Sequence, residues 1–356
     1  MKKENALALD SVRLSADRDC LLILDQTLLP GKTEILRLRT AEEIREAIRT
    51  LRVRGAPAIG VAAAYGAALS ASKIETGDPG AFLTRFLSLR DYFATARPTA
   101  VNLFWALDRM EGVVRKTLSR SVPEIKEALF AEAQAIRDED VAISRAIGEH
   151  GYALLKPNCG ILTHCNAGTL ATAKYGTALA PVYLALERGR NDLRVYCDET
   201  RPLLQGARLT AFEMQSAGVD TTLLCDNMAS FVMQSGAIDI VLVGCDRVAK
   251  NGDAANKIGT SGLAILAKYY GIPFYVCAPG STIDRHIRSG AEIPIEERAP
   301  EEITEMWYRE RMAPEGVGVL NPAFDVTAHG LITGIVTERG IARAPYEQAF
   351  MKMGFF

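Results

Sequence analysis

The sequence carries almost no excess charge: 41 Lys and Arg stand against 43 Asp and Glu, a formal net charge of -2 over 356 residues. So close a balance gives no broad electrostatic footprint for nucleic acid or for an anionic membrane. Long apolar runs are missing too, and none approaches the roughly 18–20 residues of a membrane span. The opening stretch "MKKENALALDSVRLSAD" has two lysines but no apolar segment before a small-residue cleavage site. It does not read as a signal peptide. Histidine is scarce, with four residues at His150, His164, His286 and His329. None falls in H-E-x-x-H or facial-triad spacing, which argues against a metal centre. The seven cysteines (Cys20, Cys159, Cys165, Cys197, Cys225, Cys245 and Cys277) are odd in number and contain no C-x-x-C pair. Zinc-knuckle and thioredoxin-type motifs are therefore absent. Free thiols in a reducing compartment fit best, and the expectation is a cytoplasmic protein. No G-x-G-x-x-G opens a helix after a strand, and neither a Walker lysine motif nor a G-x-S-x-G elbow occurs.

What is present is a change of rhythm near the middle of the chain. Early on, "SVRLSA" and "CLLILDQ" suggest a small sheet. Thr40-x-x-Glu43 is a capping-box signature, and Ile44, Ala47, Ile48 and Leu51 follow it at helical spacing. Further helices are expected after "RGAP", over 81–94, from "RPTAVNLFWALDRM", and over 123–149. After Gly151 short apolar strands alternate with helices: "GILTHC", "RVYCDE", "TTLLCD", "IDIVLVGCD" and "PFYVCAP". That is βαβ patterning and implies a parallel sheet. "FDVTA" and "LITGIVTERG" are expected to add one or two edge strands. The fold class is α/β: a mostly helical domain with a small β element over 1–150, then a Rossmann-like parallel-sheet domain over 151–356.

Several strands end in polar, reactive residues: His164-Cys165-Asn166, Cys197-Asp198-Glu199, Cys225-Asp226-Asn227 and Cys245-Asp246-Arg247. Open parallel sheets bind ligands outside the carboxyl ends of their strands. Any one Cys-Asp pair is accounted for by a small apolar residue closing a strand before a helix cap. Four on one rim ask for more. "RGAPAIG" places Arg54, Gly55 and a proline before a helix, a pattern suited to holding an anion. Asn256-Lys257 is read as heading a second helix, and Arg97 before Pro98 is a third candidate. Cys165 precedes an expected helix start, whose dipole would lower its pKa. Asp246 closes the most apolar strand, where partial burial would raise its pKa and make it a usable acid.

These segments carry a resemblance. "RGAPAIG", "RPTAVNL", "HCNAGTLAT", "DETRPLLQGARLTAFE", "CDNMAS" and "GCDRVAKNGDAANKIGT" are similar to the methylthioribose-1-phosphate isomerase family of methionine salvage. That family is grouped with the regulatory subunits (alpha, beta, delta) of translation initiation factor 2B. The likeness runs from about Leu24 to Gly340. Where the family commonly reads "GAD", "HCNTG" and "NKIGTY", this chain has "GCD", "HCNAG" and "NKIGTS". The resemblance implies that Arg54, Gly55 and Ala56 line the substrate site, and that Arg97, Gln205, Asn256 and Lys257 contact substrate. It implies Asp246 as proton donor and Cys165 as a group that moves a proton or stabilises the transition state. Gln205 is owed to the resemblance alone. A homodimer formed through the parallel-sheet domain, and an active site between the two domains, are implied in the same way.

The implied chemistry opens a 5-substituted ribose 1-phosphate and moves hydrogen from C2 to C1, giving the ribulose 1-phosphate. A proton route through an enediolate-like species and a hydride route both require an acid–base pair, a phosphate cradle and little water. Neither calls for a metal or nucleotide cofactor. Two rivals stay open: a different sugar (5-deoxyribose 1-phosphate or ribose 1,5-bisphosphate), and a non-catalytic regulatory subunit of the exchange factor.

Overall fold

The computed structural model describes residues 10–98 and 100–356. Contacts divide the chain into two compact units, Met1–Ser144 with Gly168–Gly176, and Arg145–Ala167 with Thr177–Phe356.

In the first unit β1 (Val12–Leu14), β2 (Leu21–Leu24) and β3 (Ile35–Leu38) form an antiparallel sheet in that order. Helix α1 (Ala41–Arg49) starts at the expected capping box: Thr40 accepts from the Glu43 N–H, and Glu43 accepts from the Thr40 N–H. Ile44, Ala47 and Ile48 are buried, whereas Leu51 lies past the helix end with φ 64. Helix α2 (Ala56–Ser72) is alanine-rich and buried along almost its whole length. A helix apolar all round belongs in a core, and α2 packs against α1, α3 (Pro79–Ala94) and α4 (Val101–Lys116). Gly60 makes the α4 contact close, because a Cβ there would sit 3.1 Å from the Asn102 carbonyl oxygen. The boundary between units falls inside α5 (Val122–Tyr152).

The second unit is built on strands β4 (Gly160–Thr163), β5 (Arg194–Asp198), β6 (Asp220–Leu224), β7 (Ile240–Val243), β8 (Arg247–Ala249), β9 (Ala254–Lys257), β10 (Phe274–Cys277), β11 (Ile283–Asp284), β12 (Phe324–Thr327), β13 (Gly334–Thr337) and β14 (Gly340–Ala342). Seven of them form one sheet in the order β14-β13-β10-β7-β4-β5-β6. Every pair is parallel except β13–β14. All residues of β4, β7, β10 and β13 are buried, the pattern of parallel strands covered on both faces. Strands β5 and β6 extend the sheet from β4 in one direction; β7, β10 and β13 extend it in the other. The order therefore reverses between β4 and β7, which is where such sheets bind ligands. Helices α6 (Ala180–Glu187), α7 (Ala211–Ser216), α8 (Ala229–Gln234) and α9 (Thr260–Tyr269) lie along this part of the chain.

A second, four-stranded sheet has the order β11-β8-β9-β12. "FDVTA", expected at an edge of the parallel sheet, instead supplies β12, antiparallel to β9. "LITGIVTERG" does supply β13 and β14 to the parallel sheet. The β8–β9 hairpin turns at Asn251-Gly252, with Gly252 at φ 90. Among the described residues no helix is long and apolar enough to cross a membrane.

Candidate functional site

Within the second unit β4 and β7 are hydrogen-bonded neighbours, Ile161 opposite Ile240 and Leu162 opposite Val241. Cys165 follows the carboxyl end of β4, and Asp246 follows that of β7. The two loops touch: a Cβ on Gly244 would lie 2.7 Å from the Ala167 Cβ. The loops after β5 and β6 join the same rim, as the four polar strand ends require.

Cys165 is half-buried and has φ 63, a conformation uncommon for any residue with a side chain. Two hydroxyls hold it there. Its N–H donates to Thr200 Oγ1 at 2.8 Å, and its carbonyl accepts from Thr210 Oγ1 at 2.6 Å. Asn166 donates to Thr210 Oγ1 (3.2 Å) and to the buried Glu213 (3.1 Å), which also accepts from the Tyr183 hydroxyl at 3.0 Å. Burial, then the Glu213 charge, hold the Tyr183 hydroxyl well above its usual pKa, so it stays a donor. The helix expected to begin beyond Cys165 does not form. The chain makes only a three-residue 3-10 turn at Thr169–Ala171, and the next α-helix is α6. No helix dipole acts on the thiol from that direction, because "NAGT" spends its polar groups on turns and side-chain bonds.

His164 is buried, with Nδ1 3.1 Å from Asp198 Oδ2 and Nε2 2.8 Å from the Ile258 carbonyl oxygen. His164, Asp198 and Asp226 place one ligand-type atom each within 4.8 Å of one another. Most of these groups are already committed, and Asp198 Oδ1 is the exception, with no partner among the described residues. Both ring nitrogens face acceptors, and the Asp226 oxygens accept from the Thr200 and Arg201 N–H groups at 2.7 Å each.

Gln205 emerges from the loop after β5, in which Thr200 and Leu204 also have positive φ (64 and 56). It precedes a π-helical turn, Gly206–Thr210, that runs into α7. Such π turns frequently mark functional positions. Glycine is required at 206, where a Cβ would fall 1.7 Å from the Asp198 carbonyl oxygen. Gln205 is buried, and its Oε1 has no hydrogen-bond partner among the described residues. An orphaned buried acceptor costs about 1–3 kcal/mol and is relieved by a ligand hydroxyl. The one signal in the sequence was the adjoining Gly206.

Asp246 is exposed, not partly buried as expected. The reason is local. Strand β7 ends at Val243, and the Asp246 N–H already donates to the Ala255 carbonyl (3.0 Å) at the start of the β8–β9 hairpin. Asn256 and Lys257 are likewise not at a helix start. They end β9, paired with Asp325 and Phe324 of β12 while β8 pairs only with the preceding Ala254 and Ala255, and α9 begins only at Thr260. Asn256 Nδ2 donates to Thr260 Oγ1 at 3.1 Å. The Lys257 ammonium donates to the Ala323 carbonyl at 2.8 Å and lies 4.4 Å from the Phe324 ring centroid. Cys165, Gln205, Asp246, Asn256 and Lys257 thus all belong to loops and strands at one end of the second unit.

In the first unit Arg54 immediately precedes α2, Gly55 is its N-cap with φ 91, and Ala56 is its first residue. A Cβ on Gly55 would lie 2.3 Å from the Ala171 carbonyl oxygen, so only glycine fits. Arg97 is half-buried in the turn before α4. Because Gly60 and Asn102 touch, the first turns of α2 and α4 lie together. Two helix N-termini, each preceded by an arginine, suit an anion.

The chain matches the model of the Initiation factor 2 subunit family over residues 52–344. It is 63% identical over 345 residues to a methylthioribose-1-phosphate isomerase of Symbiobacterium thermophilum, covering 97% of this chain and 96% of that one. It is 56% identical over 342 residues to a 5-deoxyribose 1-phosphate isomerase of Petrotoga mobilis, covering 96% and 98%. The crystal structure of 5-methylthioribose 1-phosphate isomerase from Pyrococcus horikoshii OT3 superposes with a TM-score of 0.92 at 43% identity, covering 99% of each chain.

Proposed function

The chain belongs to the initiation factor 2 subunit family, and from that premise we propose that it is an aldose–ketose isomerase converting 5-methylthioribose 1-phosphate to 5-methylthioribulose 1-phosphate in methionine salvage. One observation carries the reading. A thiol and a carboxylate, Cys165 and Asp246, leave the two adjacent strands at the switch point of a chain that is 63% identical, nearly end to end, to a relative of that name. In this reading Arg54, Gly55, Ala56 and Arg97 bind the phosphorylated sugar together with Gln205, Asn256 and Lys257. The orphaned Gln205 oxygen takes a sugar hydroxyl. Asp246 supplies the proton that opens the ring, and Cys165 serves the transfer of hydrogen from C2 to C1. Bound substrate replaces the solvent now around Asp246, which favours the protonated carboxyl that gives its proton to the ring oxygen.

A second sugar has its own support, since 56% identity joins this chain to a 5-deoxyribose 1-phosphate isomerase. The test is turnover of 5-methylthioribose 1-phosphate, 5-deoxyribose 1-phosphate and ribose 1,5-bisphosphate by the purified protein, with Cys165→Ser and Asp246→Asn as controls. Preference for the methylthio sugar, lost in both variants, is the expected outcome. Preference for the deoxy sugar keeps the chemistry and moves the pathway. No turnover of any of the three overturns the isomerase reading in favour of a regulatory subunit.

The reading also includes a homodimer. Phe231 on α8 is 75% exposed and Tyr269 on α9 is 80% exposed, with Leu223, Met228 and Ile265 exposed nearby in the chain. The Ser230 and Tyr270 hydroxyls, 2.9 Å apart, tie these helices together. An apolar surface of this kind favours association, and Phe231→Glu is expected to yield monomers in sedimentation. The seven cysteines are all free, which supports a reducing, cytoplasmic setting.

A further inference from the structure

The Cys165 loop and the turn that ends the Asn256–Lys257 strand meet at one buried side chain, the imidazole of His164. We infer that His164 is a positioning residue for the isomerisation, tying these two segments together only while it shares a proton with Asp198. The inference rests on the isomerase reading above.

The geometry begins with the Ile258 carbonyl, 2.8 Å from Nε2. A carbonyl only accepts, so Nε2 carries a hydrogen. On the other side Nδ1 and Asp198 Oδ2 are 3.1 Å apart, and both are acceptors unless one proton lies between them. That proton makes the contact a hydrogen bond whether it resides on nitrogen or on oxygen. Without it a ring lone pair faces a buried carboxylate, and the ring must turn away. The ring has little room to turn without moving the backbone beyond it. Gly259 lies directly on it: a Cβ there would be 2.9 Å from Cε1 and 3.0 Å from Nε2. The far side of this turn is fixed by Asp325, which accepts from the Gly259 N–H (2.8 Å), the Ser261 N–H (3.1 Å) and the Ser261 hydroxyl (3.0 Å). Thus His164 on one side and Asp325 on the other set where Asn256 and Lys257 stand relative to Cys165.

The charged groups around the ring are carboxylates: Asp198 after β5, Asp226 after β6 and Asp325 on β12, with Glu199 acting on Asp198. Burial opposes a charged imidazole, but the Asp198 bond and charge outweigh it, and the His164 pKa is raised above 6.5. Burial likewise raises Asp198, so the pair retains its proton beyond the ordinary histidine range. The sign follows. Below the raised pKa the strut is intact; as pH climbs through it the proton leaves and the rate falls.

Two measurements test this on the intact protein. The first needs no activity: two-bond ¹H–¹⁵N correlation spectra of the four histidines, assigned with His164→Gln. His164 is expected to hold protons on both nitrogens, or on Nε2 with Nδ1 hydrogen-bonded, to a pH above the ordinary histidine range. A His164 signal titrating in the ordinary range overturns the proposal, whatever the substrate proves to be. The second is the pH–rate profile on the sugar the protein turns over. His164→Gln keeps a donor for Ile258 but cannot titrate, so it is expected to be slower by about tenfold or more and to lose the alkaline limb. Asp198→Asn, whose amide can donate to Nδ1 of the neutral ring, is expected to abolish that limb. A limb unchanged in His164→Gln belongs to another group, such as Cys165, and sinks the idea. A merely structural role would lower the rate equally at every pH.

Discussion

The loops after β4 and β7 leave neighbouring strands, yet they are fixed by different means. Around Cys165 the fixing is done by side chains: Thr200 and Thr210 clamp its backbone, Glu213 holds Asn166, and Asp198 holds His164. Around Asp246 it is done by main chain, with the Asp246 N–H bonded to Ala255 and the β8–β9 hairpin following at once. A loop secured by buried side chains couples chemistry to stability, because each clamp is also a buried polar group needing its partner. A loop secured by a hairpin can carry an exposed side chain such as that of Asp246 without burying polar clamps.

Asp246→Asn separates the two most sharply. On the role proposed for Asp246, loss of an acid–base group is worth about 10²–10⁴ in rate, while an exposed substitution changes stability by less than about 0.5 kcal/mol. Steady-state kinetics beside a thermal melt should therefore show a large loss in kcat/KM at an unchanged Tm; a matching fall in Tm would break the comparison. On the other loop, Thr210→Val removes the hydroxyl that bonds the Cys165 carbonyl, and is expected to cost about 1–3 kcal/mol in denaturant unfolding. It should lower the rate as well, since the left-handed backbone at Cys165 loses a clamp.

The segment just beyond this loop gives a pH-dependent version. Asp140 accepts from the Ala173 N–H at 2.6 Å, and burial, opposed by that bond and by Arg137, raises its pKa from 3.8 to about 7. A carboxyl raised on folding contributes stability that is full below the unfolded value and lost as pH rises through the folded one. Asp140→Asn keeps the acceptor without the charge. Its Tm minus that of the wild type should grow between about pH 4 and 7 and then level off; a difference flat with pH would refute the assignment. The smallest effect is the control in the first unit. Thr40→Ala removes the α1 capping box at about 1 kcal/mol and should leave kcat untouched, showing that lost stability alone does not slow the enzyme.

What the sequence made legible follows the same division. The buried strands could be read because continuous apolar runs such as "IDIVLVGCD" have one economical use, and the capping box because Thr40 and Glu43 are spaced for it. The rim was visible as four polar strand ends. Strand β9 was not: "AANK" has little intrinsic preference for a strand and forms one because β8 and β12 flank it, while α9, beginning close behind, invited the helix reading. The clamps on Cys165 were invisible as well. Thr200, Thr210 and Glu213 stand 35 to 48 residues from it, and nothing in local spacing announces a contact made by topology. Gln205 carried only the hint of Gly206. The exposure of Asp246 depended on where β7 stopped.

The left-handed backbone at Cys165 has a consequence for lineages that share this scaffold. At φ 63 a glycine is free of steric conflict, whereas a cysteine sits against the grain of the chain. Selection for folding alone favours drift toward glycine or asparagine here, and on the role proposed for Cys165 selection for a thiol opposes it. In descendants that keep the architecture but abandon catalysis, this residue should be among the first to change. Its identity in a newly met relative is then a marker of which of the two pressures that lineage has been under.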